Sequence, residues 1–217
     1  MQSPKYSVVI PTYNHCDDLL KPCIDSIIKY TDMDNVELVI SANGCTDNTN
    51  LYLAYLQTVI PHITVLWNTN PLGFIKATNE GIKASIGEKI VILNNDIILL
   101  EQSKNAWLER LNIRDGGGVL SIYSPITDRR FLVFFCVMID RKVIDKIGLL
   151  DESFGMGGCD DIEYCLRAEK AGFVFMDVGS KGDFPIYHKG EGTMHQPELI
   201  DKYKKQFHEN ELKLSKQ

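Results

Sequence analysis

The sequence of 217 residues lacks the features expected of a membrane or nucleic-acid-binding protein. Its longest apolar stretches, such as 131–139, are too short to span a bilayer. Its N-terminus has neither the basic region nor the long apolar core of a secretory signal. Because 29 acidic residues outnumber 23 basic ones, the net charge is −6, and no general basic field is available for nucleic acid. We therefore expect a cytoplasmic protein with no transmembrane segment and no nucleic-acid partner.

Several ligand-binding signatures are also missing. The six cysteines include no CxxC pair and no spacing to histidine that is typical of zinc, which favours reduced thiols. No GxGxxG follows the first apolar run, and no GxxxxGK[ST] occurs, so the dinucleotide fingerprint and the P-loop are excluded. An anionic ligand would then have to be bound by backbone amides or through a divalent cation.

The composition, 44% hydrophobic and 24% charged, is that of a globular protein, and its pattern predicts an α/β fold. Short β-branched runs alternate with amphipathic stretches, which predicts a mostly parallel central sheet flanked by helices. The predicted strands are 6–11, 36–41, 63–67, 89–93, 119–124, 131–139, 173–178 and 184–188. The predicted helices are 18–30, 47–59, 74–86, 141–147, 160–171 and 197–214. We expect a single domain over 1–196, with 1–96 as a nucleotide-binding half, and a C-terminal helical segment over 197–217.

Polar clusters follow four of the predicted strands: Thr12–Asn14, Asn43–Asp47, Asn68–Gly73 and Asn94–Asp96. Ligands of open α/β sheets gather beyond the carboxyl ends of the strands, so these loops could form a nucleotide site. Asparagine, glycine and aspartate also dominate ordinary turns, and spacing alone leaves both interpretations open. In the last cluster, Asp96 could bind Mg²⁺ or Mn²⁺ that bridges to phosphate.

Six segments, in order, resemble the family-2 glycosyltransferases of the GT-A fold. They are VVIPTYN at 8–14, ELVISANGCTDNT at 37–49, NPLGFIKATNEGIKASIG at 70–87, VILNND at 91–96, DRKVIDKIGLLDESF at 140–154 and GGCDDIEYCLRAEKAGF at 157–173. The ending IYHKGEGTMH also resembles small viral members. The resemblance implies a GT-A-type nucleotide-diphospho-sugar transferase fold, in which 97–196 forms the acceptor and catalytic half.

The resemblance also implies a set of donor-binding residues. The loop after the second strand departs from the family, because Ala42 stands where an aspartate usually contacts the base. Lys76 could reach a phosphate or could be a solvated helix charge. The implied nucleotide-sugar-binding residues are Pro11, Thr12, Tyr13, Asn14, Asn43, Asp47, Gly73, Lys76, Asn79, Asn94 and Asn95.

For the catalytic residues, the resemblance implies Asp161 as general base with Asp160 beside it. Asp96 occupies the position of the family's metal ligand, and His188 is our candidate for a second ligand of Mn²⁺ or Mg²⁺. Each has a simpler explanation: carboxylates favour helix N-termini, and a lone histidine is often structural.

The function implied is inverting transfer of a hexosyl-type sugar from a nucleoside-diphosphate sugar to a hydroxyl of a glycan or glycoprotein. UDP-sugars come first among the donors, and the loops 155–160 and 180–196 are expected to close over the substrates. A nucleotidylyltransferase is an alternative, although PTYNHCDD lacks the phosphate loop of that class. A non-catalytic module that binds sugar nucleotides is the other, suggested by Ala42 and the single carboxylate of NND.

Overall fold

The computed structural model describes residues 4–179, 182–190 and 197–216. The strands are β1 (Tyr6–Thr12), β2 (Val36–Asn43), β3 (Ile63–Asn68), β4 (Lys89–Leu93), β5 (Ile97–Leu99), β6 (Gly116–Gly118), β7 (Ser121–Ser124), β8 (Arg129–Leu132), β9 (Cys136–Asp140), β10 (Phe175–Asp177) and β11 (Ile186–His188). The helices are α1 (Lys21–Tyr30), α2 (Thr49–Val59), α3 (Phe74–Ala84), α4 (Ala106–Leu111), α5 (Arg141–Ile147), α6 (Asp160–Lys170) and α7 (Pro197–Leu214). A π-helical turn, Cys16–Leu20, precedes α1, and 3₁₀ turns occupy Met33–Asn35 and Glu152–Phe154.

Seven strands form the central sheet, in the order β10-β6-β9-β4-β1-β2-β3. Neighbouring strands are parallel except β9, which runs antiparallel to both β4 and β6. Every residue of β1 and β2 is buried. Such continuous apolar runs are typical of strands covered on both faces. The predicted fold class, a mostly parallel sheet flanked by helices, is confirmed.

Two hydrophobic cores cover the two faces of the sheet. Along β1, Val8 and Ile10 belong to one core and Val9 to the other, as the two-residue period of a strand requires. Helices α1, α2 and α4 pack on the first face, and α3, α5 and α6 pack on the second.

The structure corrects the prediction of one strand over 131–139. Residues 129–132 form a hairpin with β7, and a turn at 133–135 separates them from β9 in the central sheet. The strands β5 and β6 and the helix α4 were not predicted. Three glycines form β6 because space is short there: a Cβ on Gly117 would overlap the carbonyl oxygen of Leu111.

Other expectations bear on the thiols and on the loops. All six cysteines are free thiols.

Within residues 4–179, 182–190 and 197–216, no helix combines the length and the apolar composition needed to cross a membrane. Of the loop 180–196 that was expected to close over substrates, 180–181 and 191–196 lie outside the described residues.

Candidate active site

A cavity of about 870 Å³ lies at the carboxyl ends of β1, β2 and β4. It is roomy enough for a ligand of nucleotide-sugar size, because small-molecule sites occupy roughly 300–1,000 Å³. The cavity brings together residues from both halves of the sequence. Its lining includes most of the predicted site residues, namely Pro11, Thr12, Tyr13, Asn43, Gly73, Lys76, Asn94, Asn95, Asp96, Asp161 and His188.

Asp96 lies in the turn between β4 and β5, and its side chain is only 1% exposed. Neither of its carboxylate oxygens receives a hydrogen bond from any residue that the structure describes. A buried charge that accepts no hydrogen bond is costly, so this carboxylate favours a nearby cation or donors from a ligand. The position is set by the backbone: β11 pairs with β5, and the Lys189 N–H donates to the carbonyl of Asp96 at 3.0 Å.

His188 ends β11 beside this carboxylate. Its Nε2 lies 3.3 Å from Oδ1 of Asp96, although the two are not aligned for a hydrogen bond. The imidazole stacks on Phe135, with ring centroids 4.4 Å apart and planes 21° from parallel. This stacking holds the ring against Asp96, so the two side chains could contact one cation together.

The donor set fits a divalent cation that is completed by a ligand. Among the described residues no group of three or more His, Cys, Asp or Glu side chains surrounds a common point. Mg²⁺ commonly uses only one or two protein ligands together with substrate phosphates and water. Asp96 supplies the carboxylate of that pattern, and the imidazole of His188 beside it is better suited to Mn²⁺ than to the harder Mg²⁺.

The asparagines at the strand ends connect the loops around the cavity. Asn95 donates from Nδ2 to Oγ1 of Thr12 at 2.9 Å, which joins the end of β4 to β1. Asn43 accepts the N–H of Leu72 at 2.6 Å and so fixes the loop before α3. These side chains therefore shape the cavity while also lining it.

Asp160 and Asp161 begin α6, after a loop with unusual backbone angles. Gly155, Gly157, Gly158 and Cys159 all have positive φ. Asp160 is buried and accepts the N–H of Gly158 at 2.7 Å, whereas Asp161 is partly exposed and lines the cavity. The loop therefore places one carboxylate in the protein interior and the next one in the cavity.

The environment of this pair favours the protonated carboxyl. Although part of Asp161 remains accessible, the protein around the cavity shields its carboxyl from water, and this desolvation is the main cause that raises the pKa of Asp161 to about 8. The neighbouring Asp160 also raises it. The backbone N–H groups of Ile162 and Phe134 act in the opposite direction. Burial also raises the pKa of Asp160, to about 6. A carboxyl with a raised pKa inside a cavity is suited to exchange protons with a ligand.

Four predicted site residues lie outside the cavity lining and hold nearby loops instead. Asn14 accepts the N–H of Thr46 at 2.7 Å, and Asp47 accepts the N–H of Cys16 at 2.9 Å. These bonds join the loops that follow β1 and β2. Asn79 is buried and bonds both the N–H and the carbonyl of Leu150, at 3.0 and 2.9 Å. The fourth residue is Asp160.

The sequence did not point to the contribution of α7. Lys202, Tyr203 and Gln206 line the cavity from this helix, and Met156 lines it from the glycine-rich loop. The only signal was the helical pattern of 197–214, which indicated a helix but not the surface it covers. Tyr203 and Gln206 are one turn apart and therefore share a face.

Comparison with known proteins identifies the family. The model of the family described as glycosyl transferase family 2 matches residues 7–132, more than half of the chain. The chain belongs to glycosyl transferase family 2. The predicted family and enzyme class are thereby confirmed. This family 2 glycosyltransferase is 30% identical, over 117 residues, to the glycosyltransferase GlyG of Streptococcus pneumoniae serotype 4. That match covers 54% of this chain and 38% of GlyG. It gives no support to the resemblance to small viral members.

Solved structures share the fold of this family 2 glycosyltransferase. The mannosyltransferase PcManGT from Pyrobaculum calidifontis, in complex with GDP-Man and Mn²⁺, aligns with a TM-score of 0.64 at 18% identity. GalNAc-T7, with UDP, GalNAc and Mn²⁺, aligns with a TM-score of 0.71 at 14% identity. The alignments cover 81% and 94% of this chain but only 55% and 48% of those proteins. At these identities the likeness shows the fold alone.

Proposed function

We propose that this chain is an inverting glycosyltransferase that moves a hexosyl-type sugar from a nucleoside-diphosphate sugar to a hydroxyl acceptor. The observation that carries the proposal is the cavity that Asp96 and Asp161 share. Asp96 offers two carboxylate oxygens that accept no hydrogen bond from the described residues, and Asp161 offers a carboxyl with a raised pKa. One group suits the diphosphate end of a donor, and the other suits the proton of an acceptor hydroxyl.

In this proposal Asp161 accepts the proton of the acceptor hydroxyl as that oxygen attacks the anomeric carbon. A neutral hydroxyl is a poor nucleophile, and a positioned base typically contributes roughly 10²–10⁴-fold to the rate. The attack comes from the face opposite the leaving diphosphate, so the configuration at the anomeric carbon inverts. Because the raised pKa leaves Asp161 mainly protonated at neutral pH, we expect the rate to rise as the pH approaches 8.

Asp96 and His188 would hold a divalent cation, Mn²⁺ or Mg²⁺. When bound, that cation supplies positive charge that stabilises the departing diphosphate. Both solved neighbours contain Mn²⁺ together with nucleotide ligands, which supports this assignment. Lys76, exposed on α3 at the edge of the same cavity, would add a further positive charge near the phosphates.

UDP-sugars remain our first candidate donors, and GDP-sugars are added as the second candidate. Structures with UDP and with GDP-Man both share the fold. The donor would occupy the side formed by Pro11, Thr12, Tyr13 and Asn43. The acceptor, a hydroxyl of a glycan or glycoprotein, would enter where α7 lines the cavity. There Tyr203 offers an aromatic ring and a hydroxyl, and such a surface can stack on a sugar and bond to it.

A thermal-shift panel of nucleoside diphosphates and sugar nucleotides, each with and without Mn²⁺, tests the proposal. Selective binding to the native state raises Tm by mass action. We expect one nucleotide class to raise Tm, and more so with Mn²⁺. We also expect the purified protein to release nucleoside diphosphate from the matching sugar nucleotide. If no member of the panel raises Tm or is consumed, the proposed function is wrong.

A further inference from the structure

The residue that connects α7 to the proposed base is Asn210. It lies beyond 7–132, the segment that carries the family match, and is 2% exposed. Tyr203, Gln206, Asn210 and Leu214 follow one another at three- or four-residue spacing, so they lie along one face of α7. A helix face that packs on a protein is normally apolar, and a buried amide is unfavourable unless it is hydrogen-bonded. A polar residue at the centre of this face therefore requires a reason.

The amide of Asn210 is fully used. Its Nδ2 carries two N–H groups, which donate to the carbonyls of Phe154 at 2.9 Å and Gly158 at 2.8 Å, and the more distant carbonyl of Gly157, at 3.2 Å, shares one of them. Its Oδ1 accepts from Nε2 of Gln206 at 3.1 Å. One side chain thus bonds three backbone carbonyls of the segment 154–158. Few other side chains could do so, because serine has a single donor and aspartate has none when ionised.

The segment that Asn210 holds leads directly to the two carboxyls of α6. Its glycines adopt positive φ, a conformation that glycine tolerates but does not fix by itself. The N–H of Gly158, whose carbonyl is held by Asn210, donates to Asp160 at 2.7 Å. Asp161 is the next residue and lines the cavity. Asn210 is therefore connected to Asp161 through Gly158, which it bonds, and Asp160, which Gly158 bonds and which precedes Asp161 in the chain.

The same loop also contacts the donor side of the cavity. The N–H of Phe74, at the start of α3, donates to the carbonyl of Met156 at 3.4 Å. Gly73 lies so close to the loop that a Cβ there would come within 3.2 Å of the Cα of Met156. The loop 155–158 is thus bounded by α3 on one side and by α7 on the other. A change in either contact would move the residues that precede Asp161.

We propose that Asn210 is a positioning residue for the glycosyl-transfer reaction: it holds the loop 155–158 in the conformation that places Asp161 in the cavity. This inference rests on the proposed function, because it takes Asp161 to be the base. It assigns to α7 a second role besides lining the cavity. A misplacement of about 1 Å in a catalytic group can reduce a rate roughly 10²-fold, so the effect on catalysis can be large.

The test compares Asn210→Leu with Leu214→Ala. Leucine resembles asparagine in shape and adds no charge, but it removes the three hydrogen bonds to the loop and the one from Gln206. Leu214 is buried on the same face of α7, one turn further on, and is not among the cavity-lining residues, so Leu214→Ala controls for general weakening of the helix. Release of nucleoside diphosphate is measured with the sugar nucleotide that the wild type consumes, together with Tm and the pH profile of the rate.

For Asn210→Leu we expect kcat to fall by about 10- to 100-fold, a larger effect than any rise in the KM for the donor. The pH of half-maximal rate should also fall, because a displaced loop exposes Asp161 to water. Leu214→Ala should lower Tm and leave kcat and the pH profile as in the wild type. If both variants lower only Tm, or change kcat equally, Asn210 has a structural role alone and the inference is wrong.

A second measurement keeps the inference testable if the wild type consumes no sugar nucleotide, a result that would refute the proposed function. Hydrogen exchange of residues 155–163 is then compared in the two variants. Faster exchange there in Asn210→Leu than in Leu214→Ala would support the inference that Asn210 holds the loop 155–158 in place. Equal exchange in the two variants would overturn it. If Asn210→Leu does not fold, Asn210→Ser, which keeps one donor, replaces it in both measurements.

Discussion

Replacement of Asp161 by asparagine should stabilise the protein and abolish its activity. The pKa of Asp161 is about 8 in the folded state, against an ordinary value of 3.8, and burial is the main cause. At neutral pH the folded protein therefore retains a proton that the unfolded chain releases. For a group with a raised pKa, stability is fully present below pH 3.8 and is lost as the pH rises to about 8. Asparagine cannot ionise, so it escapes this loss.

The size of the effect follows from the two pKa values. Each pH unit between 3.8 and 7 corresponds to about 1.4 kcal/mol, which sets an upper limit of about 4 kcal/mol at pH 7. Asp160 shares part of this cost, so we expect Asp161→Asn to gain about 2 kcal/mol, or roughly 4–8 °C in Tm for a domain of this size. Asparagine can still accept the N–H of Ile162, which Asp161 accepts at 2.9 Å.

The assay follows the Tm of wild type and Asp161→Asn from about pH 4 to about pH 9, where the difference should grow with pH and then level off. Effects of titrating groups that do not interact with Asp161 cancel in the comparison, whereas Asp160, which raises the pKa of Asp161, titrates differently in the variant. In parallel, sugar transfer should fall by about 10²–10⁴-fold, while donor binding remains. The reasoning fails if the variant is less stable than the wild type, if the difference does not grow with pH, or if transfer continues at the wild-type rate.

Three further predictions concern the metal, a loop and the sheet. Asp96→Asn should abolish the extra rise in Tm that Mn²⁺ gives in the presence of UDP, and His188→Ala should make that rise smaller. If the rise is unchanged in Asp96→Asn, the assignment of Asp96 as a metal ligand is wrong. Asp47→Asn should lose about 1 kcal/mol at neutral pH, because asparagine keeps only one of the two acceptor oxygens. Burial raises the pKa of Asp47, but hydrogen bonds from Thr49 and Cys16 outweigh it and lower the pKa overall, so the loss should shrink as the pH falls from 3.8 through the lowered pKa; chemical denaturation at neutral pH and well below pH 3.8 measures this, and an equal loss at both would contradict it. Gly117→Ala should lower Tm by several degrees in a thermal scan because its methyl group would overlap a backbone carbonyl, and an unchanged Tm would mean that the sheet relaxes around it.

The first four strands could be predicted because each is a short run rich in β-branched and apolar residues, and β1, β2 and β4 are buried almost throughout, whereas the edge strand β3 is only partly buried. The break in 131–139 could not, since FLVFFCVMI contains no turn residue. Two long-range contacts determine it: β8 pairs with β7, and the Asn94 N–H donates to the carbonyl of Phe135 at 2.8 Å. The strand β6 could not be predicted either, because glycine is disfavoured in strands and only the pairing of β6 with β9 and β10 makes Gly116–Gly118 extended. In each case tertiary contacts override the local preference of the chain.

For the candidate site, the sequence indicated which residue types could do the chemistry but not how they are placed. The motif NND singled out Asp96, yet only the fold shows that neither of its oxygens accepts a hydrogen bond from the described residues. The proximity of His188 depends on the pairing of β11 with β5 across 90 residues of chain. Asn79 and Asp47 lie in family-like segments, but their hydrogen bonds show that they hold loops. The buried face of α7 required the structure altogether.

The position of β9 shows that the folded unit extends beyond the segment that matches the family. The family match ends at residue 132, whereas β9 lies between β4 and β6 in the middle of the sheet. A fragment that ended at the match would leave one side of β4 unpaired along its whole length, and such an open edge recruits other chains. During synthesis the sheet likewise cannot close until residue 140 has left the ribosome. Any attempt to exchange the donor half of this domain for that of a relative must therefore carry β9 with it.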